Sequence, residues 1–402
     1  MMQEKFKTFV ARTQSLPDYK EPLGFGIARL EFGQKSGATL SATYPLLNWK
    51  GENLGSYAVF FEAMQCGEII SESESEKVVA INQEFVAKAL ELYEPFLAES
   101  LNNKNTHKNI QVALELNRAL ARGELFAPNG KARYHFCVLY QDSKCASVES
   151  AYMELLALSL GKAPLRSLNL DGIFGLLQNV AWSGNTPYEL EWLRDNEIEL
   201  KMRGELPNID FVDKFPRYLM QVLPQYDNIR LLDSAKTRFG AYLGSGGYTQ
   251  MPGASYVNFN AGALGACMNE GRISSSVVVG EGSDIGGGAS ILGVLSGGNS
   301  EPISIGKNCL LGVNSSTGIS LGDGCIVDGG IAVLAGTIFA IERAEAEKIA
   351  QINEGFNIHD NGLYKGRDLS GKNGIHFRQD AKSGKMIAFR SNRKIELNQA
   401  LH

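Results

Sequence analysis

Between about residues 270 and 335, apolar positions recur every six residues: Ile273, Val279, Ile285 and Ile291, then Ile305 and Leu311, then Leu321, Val327 and Val333. Six is not near a multiple of the 3.6-residue helical turn, and interspersed glycines break any two-residue alternation. The period predicts short strands joined by tight corners, three hexads to a triangular coil, with each apolar side chain stacked on its counterpart one coil away. The residue after the apolar one is small or acidic (Gly280, Gly286, Gly306, Gly312, Gly322, Asp328), as a crowded corner requires. The rhythm breaks at 295–304 and at 316–320, and these insertions are expected to leave the coil as loops on a binding face.

The rest of the chain has a different texture. Residues 25–32, 57–63 and 134–140 read as extended, whereas 76–93 and 105–122 carry helical apolar spacing, with further helix expected at 148–160, 187–202 and 210–222. A charged helix over 343–353 is expected to cap the coil, followed by a hairpin with Ser383 and Gly384 at its tip. Three regions result: a mixed α/β N-terminal domain (1–225), a parallel β-helix (226–343), and a C-terminal capping helix with a small β region (344–402). The hexapeptide pattern resembles left-handed β-helices, and the expected hand rests on that resemblance because spacing supplies only the coil.

Composition narrows the function. The 402-residue chain has a formal net charge of -5 and a pI near 5.7, which disfavours a nucleic-acid partner. Its six cysteines include no CxxC pair and match no zinc or disulfide framework, so they read as reduced thiols. The N-terminal segment lacks the apolar core of a signal peptide, and no run approaches the roughly 18 residues of a membrane span, so a cytoplasmic location without membrane association is expected.

The five histidines (His107, His135, His359, His376, His402) all fall outside the repeat. A base supplied by the coils must then be a carboxylate, from Glu270, Glu281, Asp284, Glu301, Asp323 or Asp328. Glu270 stands out because it lies within a coil in MNEGRIS, where partial desolvation would strengthen it as a base; the alternative is an ion pair with Arg272 or a corner cap. GSGGYT at 244–249 and IGKN at 305–308 match no nucleotide-binding loop, so those glycines read as corners. Lys307, Lys365 and Arg378 are candidates for contacts to coenzyme phosphates or are solvated surface charges.

The runs VNFNAGALGACMNEGRISSSVVVGEGSDIGGGASILGVLSGG and ISIGKNCLLGVNSSTGISLGDGCIVDGG, with YKGRDLSG, FRQDAKSG and IELNQAL further on, resemble the tetrahydrodipicolinate N-succinyltransferases, in particular their longer branch. The likeness is dense from about Phe239 to Thr337 and much weaker over the first 200 residues. It implies an acyltransferase of the diaminopimelate route to lysine, a homotrimer with active sites between subunits, and succinyl-CoA as donor. It implies Glu270 as the catalytic carboxylate, either a nucleophile or an aid to direct amine attack. Donor contacts carry over onto Arg272, Gly287, Ser290 and Gly336, onto Lys365, and onto Arg378, Gln379, Asp380 and Ala381, with Val313, Asp328 and Gly329 contributing through their backbone.

For the two dicarboxylic reactants, Arg272, Asn258 and Asn260 are candidate partners, unless the asparagines form a ladder inside the coil. The Gly287 and Gly288 amides are candidate oxyanion donors. Where some relatives carry an Asp and a Glu for an axial magnesium, this chain has Ala235 and GGYTQMPGAS, which offer no carboxylate, so no metal ligands are assigned. Two alternatives stay open: an N-acetyltransferase on the same acceptor, and a non-catalytic β-helix scaffold.

Overall fold

The computed structural model describes residues 2–100, 107–293, 301–393, 395 and 397. Part of the first insertion (294–300) and most of the IELNQAL run lie outside the described residues. The chain divides into two compact units: 1–157 with 168–216, and 158–167 with 217–402.

The first unit is built on an antiparallel sheet in the order Thr39–Thr43, Gly24–Phe32, Tyr134–Leu139, Glu76–Ala80, Glu68–Glu72. One face packs Phe25, Ile27, Phe136 and Val138 against the helices Leu54–Ala63, Gln83–Ser100 and Lys108–Ala121. Two expectations are corrected here. Residues 57–63 are helical, because the apolar run is buried on every side and its lack of periodicity mimics a buried strand. Residues 76–80 form a strand paired with Tyr134–Leu139, and the helix begins only at Gln83, where the Asn82 side chain accepts the Phe85 amide at 2.8 Å. Likewise, 187–202 divides into the strand Thr186–Glu189 and the helices Leu190–Asp195 and Glu197–Arg203, and 210–222 into the strand Phe211–Asp213 and the short helix Tyr218–Gln221. Partners in the three-stranded sheet around Val180–Ser183 override local helix propensity in both places.

The second unit is a parallel β-solenoid with three faces. One stacks Leu243, Ala263, Val279 and Ile305; the next Gln250, Asn269, Ile285, Leu311 and Val327; the third Val257, Ile273, Ile291, Thr317 and Val333. Every apolar residue of the six-residue rhythm points inward and is at most 3% exposed. The coil also starts earlier than the rhythm reveals, because Gln250 and Asn269 occupy inward positions with polar side chains. They are bound together through the Tyr248 hydroxyl, which donates to Gln250 Oε1 (3.0 Å) and accepts from Asn269 Nδ2 (3.1 Å).

The break at 316–320 is not a loop: Thr317 fills an inward position between Ile291 and Val333, and the next corner is two residues shorter, returning the chain at Leu321 opposite Ile305. Arg166, from the segment 158–167, ties three turns together. Its amide donates to Asn260 Oδ1 (2.7 Å), its Nε to the Ser276 carbonyl (2.6 Å) and its Nη1 to Ser304 Oγ (2.9 Å). The helix Arg343–Ile352 and the hairpin Ile375–Gln379/Met386–Arg390 follow as expected, and the hairpin extends a solenoid face by pairing in parallel with Ile326–Val327.

Behind the first unit's sheet lies a buried acidic group. His135 Nδ1 and Glu149 Oε1 are 2.7 Å apart, Cys145 Sγ donates to Glu154 Oε2 (3.1 Å), and Glu76 keeps one oxygen without a partner. Burial pushes the Glu154 carboxyl up to about 8 from an ordinary 4.5, so the folded chain keeps a proton that the unfolded chain gives up. Unfolding then releases this proton between those two pH values. The contribution is fully present below pH about 4.5 and falls by roughly 1.4 kcal/mol per pH unit until about pH 8. Denaturant titrations across this window are expected to show that decline in the parent chain and a flatter profile in Glu154→Gln; identical profiles contradict the buried proton.

Candidate active site

The corner between the second and third solenoid faces carries one column of residues. Directly after the inward positions Asn269, Ile285, Leu311 and Val327 come Glu270, Gly286, Gly312 and Asp328. Their amides donate upward in sequence to the carbonyls of Ile285 (2.8 Å), Leu311 (2.8 Å), Val327 (2.7 Å) and Phe377 (3.0 Å), which fixes the column's alignment. From Glu270 to Asp328 is three coil spacings, about 14 Å at roughly 4.8 Å each. A Cβ on Gly286 would lie 2.6 Å from the Leu311 carbonyl oxygen, so glycine there is dictated by the stacking.

One residue further on stand Gly287, Val313 and Gly329. Their backbone N–H groups have no acceptor among the described residues, and Val313 is 59% exposed. At another corner two of the equivalent amides are capped by side chains, Lys307 N by Asp323 Oδ1 and Asp323 N by Asn373 Oδ1, both at 2.7 Å, and in this column the Gly271 amide is capped by Asn269 Oδ1 at 3.0 Å. Three successive turns of this column thus present open donors at Gly287, Val313 and Gly329.

Glu270 stands at the foot of this edge, half-buried, and its carboxylate has no hydrogen-bond or ion-pair partner among the described residues. The ion pair with Arg272 does not form; Arg272 Nη2 instead donates to Ser290 Oγ at 2.7 Å, one coil away on the third face. Burial, and then the charge of Glu270, raise the Asp284 carboxyl above its usual range, so the two acidic groups share one neighbourhood. Of the two suggested oxyanion donors, the Gly288 amide is already engaged by the Glu270 carbonyl at 3.1 Å, and Gly287 alone keeps a free N–H.

At the upper end, the Asp328 carboxylate binds His376 Nε2 (2.6 Å) and Arg378 Nε (2.9 Å). Histidine is absent from the repeat, yet parallel pairing of Ile375–Gln379 delivers His376 onto its surface; no local spacing signals that long-range pairing. Arg378 and Gln379 lie on the hairpin. Asp380 closes its tip by accepting from the Ser383 hydroxyl (2.5 Å) and amide (2.8 Å), which hold its carboxyl below the usual range, and exposed Ala381 follows. Gly336 is exposed with open space around it, and Lys365 is exposed on Leu363–Lys365, a strand paired antiparallel with Ile338–Ala340.

The asparagines stand apart from this edge. Asn258 Oδ1 accepts from Arg238 Nη1 (3.2 Å) and the Phe259 amide (2.9 Å), while Asn260 caps Arg166 from a corner at φ 53. Neither forms a ladder. Asp233 caps the Ala235 amide at 3.0 Å, and among the described residues no group of three or more His, Cys, Asp or Glu side chains fits a metal ion.

A hexapeptide solenoid with an unpaired carboxylate below a ladder of open amides defines an acyltransferase of the β-helix class. Comparison places it more narrowly. Family models for the N-terminal and middle regions of tetrahydrodipicolinate N-succinyltransferase match residues 4–175 and 177–217, and one for the hexapeptide repeat of succinyl-transferases matches 302–335. A 2,3,4,5-tetrahydropyridine-2,6-dicarboxylate N-succinyltransferase from Helicobacter pylori is 66% identical over the full length of both chains, and one from Nitratiruptor is 54% identical, again over both full lengths. A crystal structure from Campylobacter jejuni, described as a 2,3,4,5-tetrahydropyridine-2-carboxylate N-succinyltransferase, superposes with TM-score 0.89 at 49% identity, covering 98% of this chain and 99% of that one. The chain belongs to the tetrahydrodipicolinate N-succinyltransferase family.

Two adjacent glycines differ in what they tolerate. Gly288 has φ 72 and an added Cβ would strike Asn314, whereas a Cβ on Gly287 would meet nothing within 4 Å. Gly288→Ala is expected to destabilise the chain by about 1–3 kcal/mol, while Gly287→Ala stays within about 0.5 kcal/mol of the parent. Equal losses in thermal unfolding contradict this reading of the corner.

Proposed function

We propose that the chain moves the succinyl group of succinyl-CoA onto the amine of ring-opened tetrahydrodipicolinate, acting in the cytoplasm as a homotrimer with active sites between subunits. The observation that carries this reading is the unpartnered Glu270 carboxylate at the foot of the column whose Gly287, Val313 and Gly329 amides remain open. The donor's arm lies along that column, its thioester toward Glu270 and its phosphates toward Arg378 and Lys365. Arg272 provides the positive charge for a reactant carboxylate. The exposed apolar side chains of Leu264 (52%), Val313 (59%) and Leu334 (39%) on the solenoid's outer surface support coverage by a neighbouring subunit.

The cyclic acceptor is an imine without a primary amine, so hydration and ring opening precede transfer. The amine nitrogen then attacks the thioester carbonyl, the Gly287 N–H meets the developing oxyanion, and Glu270 takes the proton that the nitrogen gives up. Collapse breaks the C–S bond, and the coenzyme leaves as a thiolate that receives a proton. Glu270 serves this scheme as base; an acyl-anhydride on the same carboxylate would give the same products.

Glu270→Ala is expected to cut turnover by at least about 100-fold without changing the mass of the assembly by light scattering. Thiol release from succinyl-CoA should greatly exceed that from acetyl-CoA, and Gly287→Ala should raise the KM for the donor. Near-normal turnover in Glu270→Ala contradicts the assignment. Equal use of acetyl-CoA favours an N-acetyltransferase, and absence of acyl-CoA binding favours a non-catalytic scaffold.

A further inference from the structure

Alternation along a strand leaves the residue before each inward position facing out of the solenoid. On the third face, Thr237 pairs with Val257, Tyr256 with Arg272, Arg272 with Ser290, and Ser290 with Ser316. Register therefore stacks Lys236, Tyr256, Arg272, Ser290 and Ser316 as one outward row, a residue per turn. This row carries two cations and no carboxylate. The corresponding row of the first face is uncharged from Tyr242 to Ser304, and that of the second mixes Arg230 with Asp284.

Neither cation of the third row is neutralised among the described residues. Arg272 donates to the uncharged Ser290 hydroxyl at 2.7 Å, and the half-buried Lys236 side chain has no hydrogen-bond or ion-pair partner. Their attachment points are two turns apart, roughly 10 Å, and the lean of the Arg272 guanidinium toward Ser290 extends the gap between the charges to at most about 14 Å, three turns. A seven-carbon α,ω-dicarboxylate has an end-to-end length equal to two extended residues, about 7 Å. Charge-assisted contacts of roughly 2.8 Å at each end bring its reach to about 13 Å, inside that gap, whereas a four-carbon one reaches only about 9 Å. Glu270 lies two residues before Arg272 on the same turn, so a carboxylate held by Arg272 brings an amine on the adjacent carbon to the Glu270 side.

We infer that the acyl acceptor lies along this third-face row, with the carboxylate beside its amine on Arg272, its methylenes over Tyr256 and its remote carboxylate on Lys236. The inference rests on the reading of Glu270 as the group that takes the amine's proton. Lys236 is thereby the residue that selects acceptors by length and by a second negative charge.

Calorimetry on the full chain, with succinyl-CoA filling the donor site and pimelate as an acceptor analogue without an amine, reads this grip without turnover. The parent is expected to bind pimelate at least about tenfold more tightly than succinate, and Lys236→Gln to weaken pimelate binding by at least about tenfold while Lys236→Arg retains it. In turnover, Lys236→Gln should raise the KM for the acceptor and leave the KM for succinyl-CoA within about twofold of the parent, a split that a general loss of structure does not produce. Equal binding of pimelate and succinate by the parent, pimelate binding that survives Lys236→Gln, or a parallel rise in both KM values overturns the inference. Lys236-dependent pimelate binding in a chain that releases no thiol from succinyl-CoA would overturn the transfer reading alone.

Discussion

The active edge depends on one constraint: parallel backbone pairing that stacks each turn of the solenoid directly on the last. Because Glu270, Gly286, Gly312 and Asp328 each donate to the turn above, side chains and amides that are 16 to 26 residues apart in sequence line up as neighbours. The same stacking forbids a Cβ at Gly286 and leaves Gly287, Val313 and Gly329 with donors pointing out of the ladder. Inward burial of residues such as Ile273, Val279 and Ile285, at roughly 1.5–3 kcal/mol for each fully buried side chain, sustains this register. The repeat is thus both the source of the fold and the device that lines up open corner amides.

The electrostatics of that column are uneven. Its upper end is closed by Asp328, whose carboxylate is shared between His376 and Arg378, so the hairpin is pinned to the solenoid and its Arg378 is oriented. Its lower end is left unneutralised, with Glu270 beside an Asp284 carboxyl that burial and that charge push upward. The proposed function gives that unpartnered carboxylate its role, as the group that takes the amine's proton.

Much of this was legible in the residues. The six-residue period located the inward positions from Ile273 onward, because burial of one side chain per hexad is a strong and local signal. It does not register the first turns, which the expected boundary at 226 nonetheless includes, because Gln250 and Asn269 satisfy each other there through Tyr248, and it mistook the shortened corner after Thr317 for a loop, because a polar residue inside a coil looks like a break. Residues 57–63 misled for the opposite reason: burial on all sides erases periodicity. Glu270 was visible from MNEGRIS, but its lack of a partner was not, since the choice of Ser290 by Arg272 is made across coils. The arrival of His376 depends on a strand pairing about 50 residues away, beyond any local pattern.

The central claim is that an acyl donor lies along the corner column with its thioester at Glu270. A crystal structure with a non-hydrolysable succinyl-CoA analogue tests it most directly. The account predicts hydrogen bonds from the Gly287, Val313 or Gly329 amides to the donor's arm and the acyl carbon within contact of the Glu270 carboxylate. A donor bound along another edge of the solenoid, or an acyl carbon remote from Glu270, would contradict it.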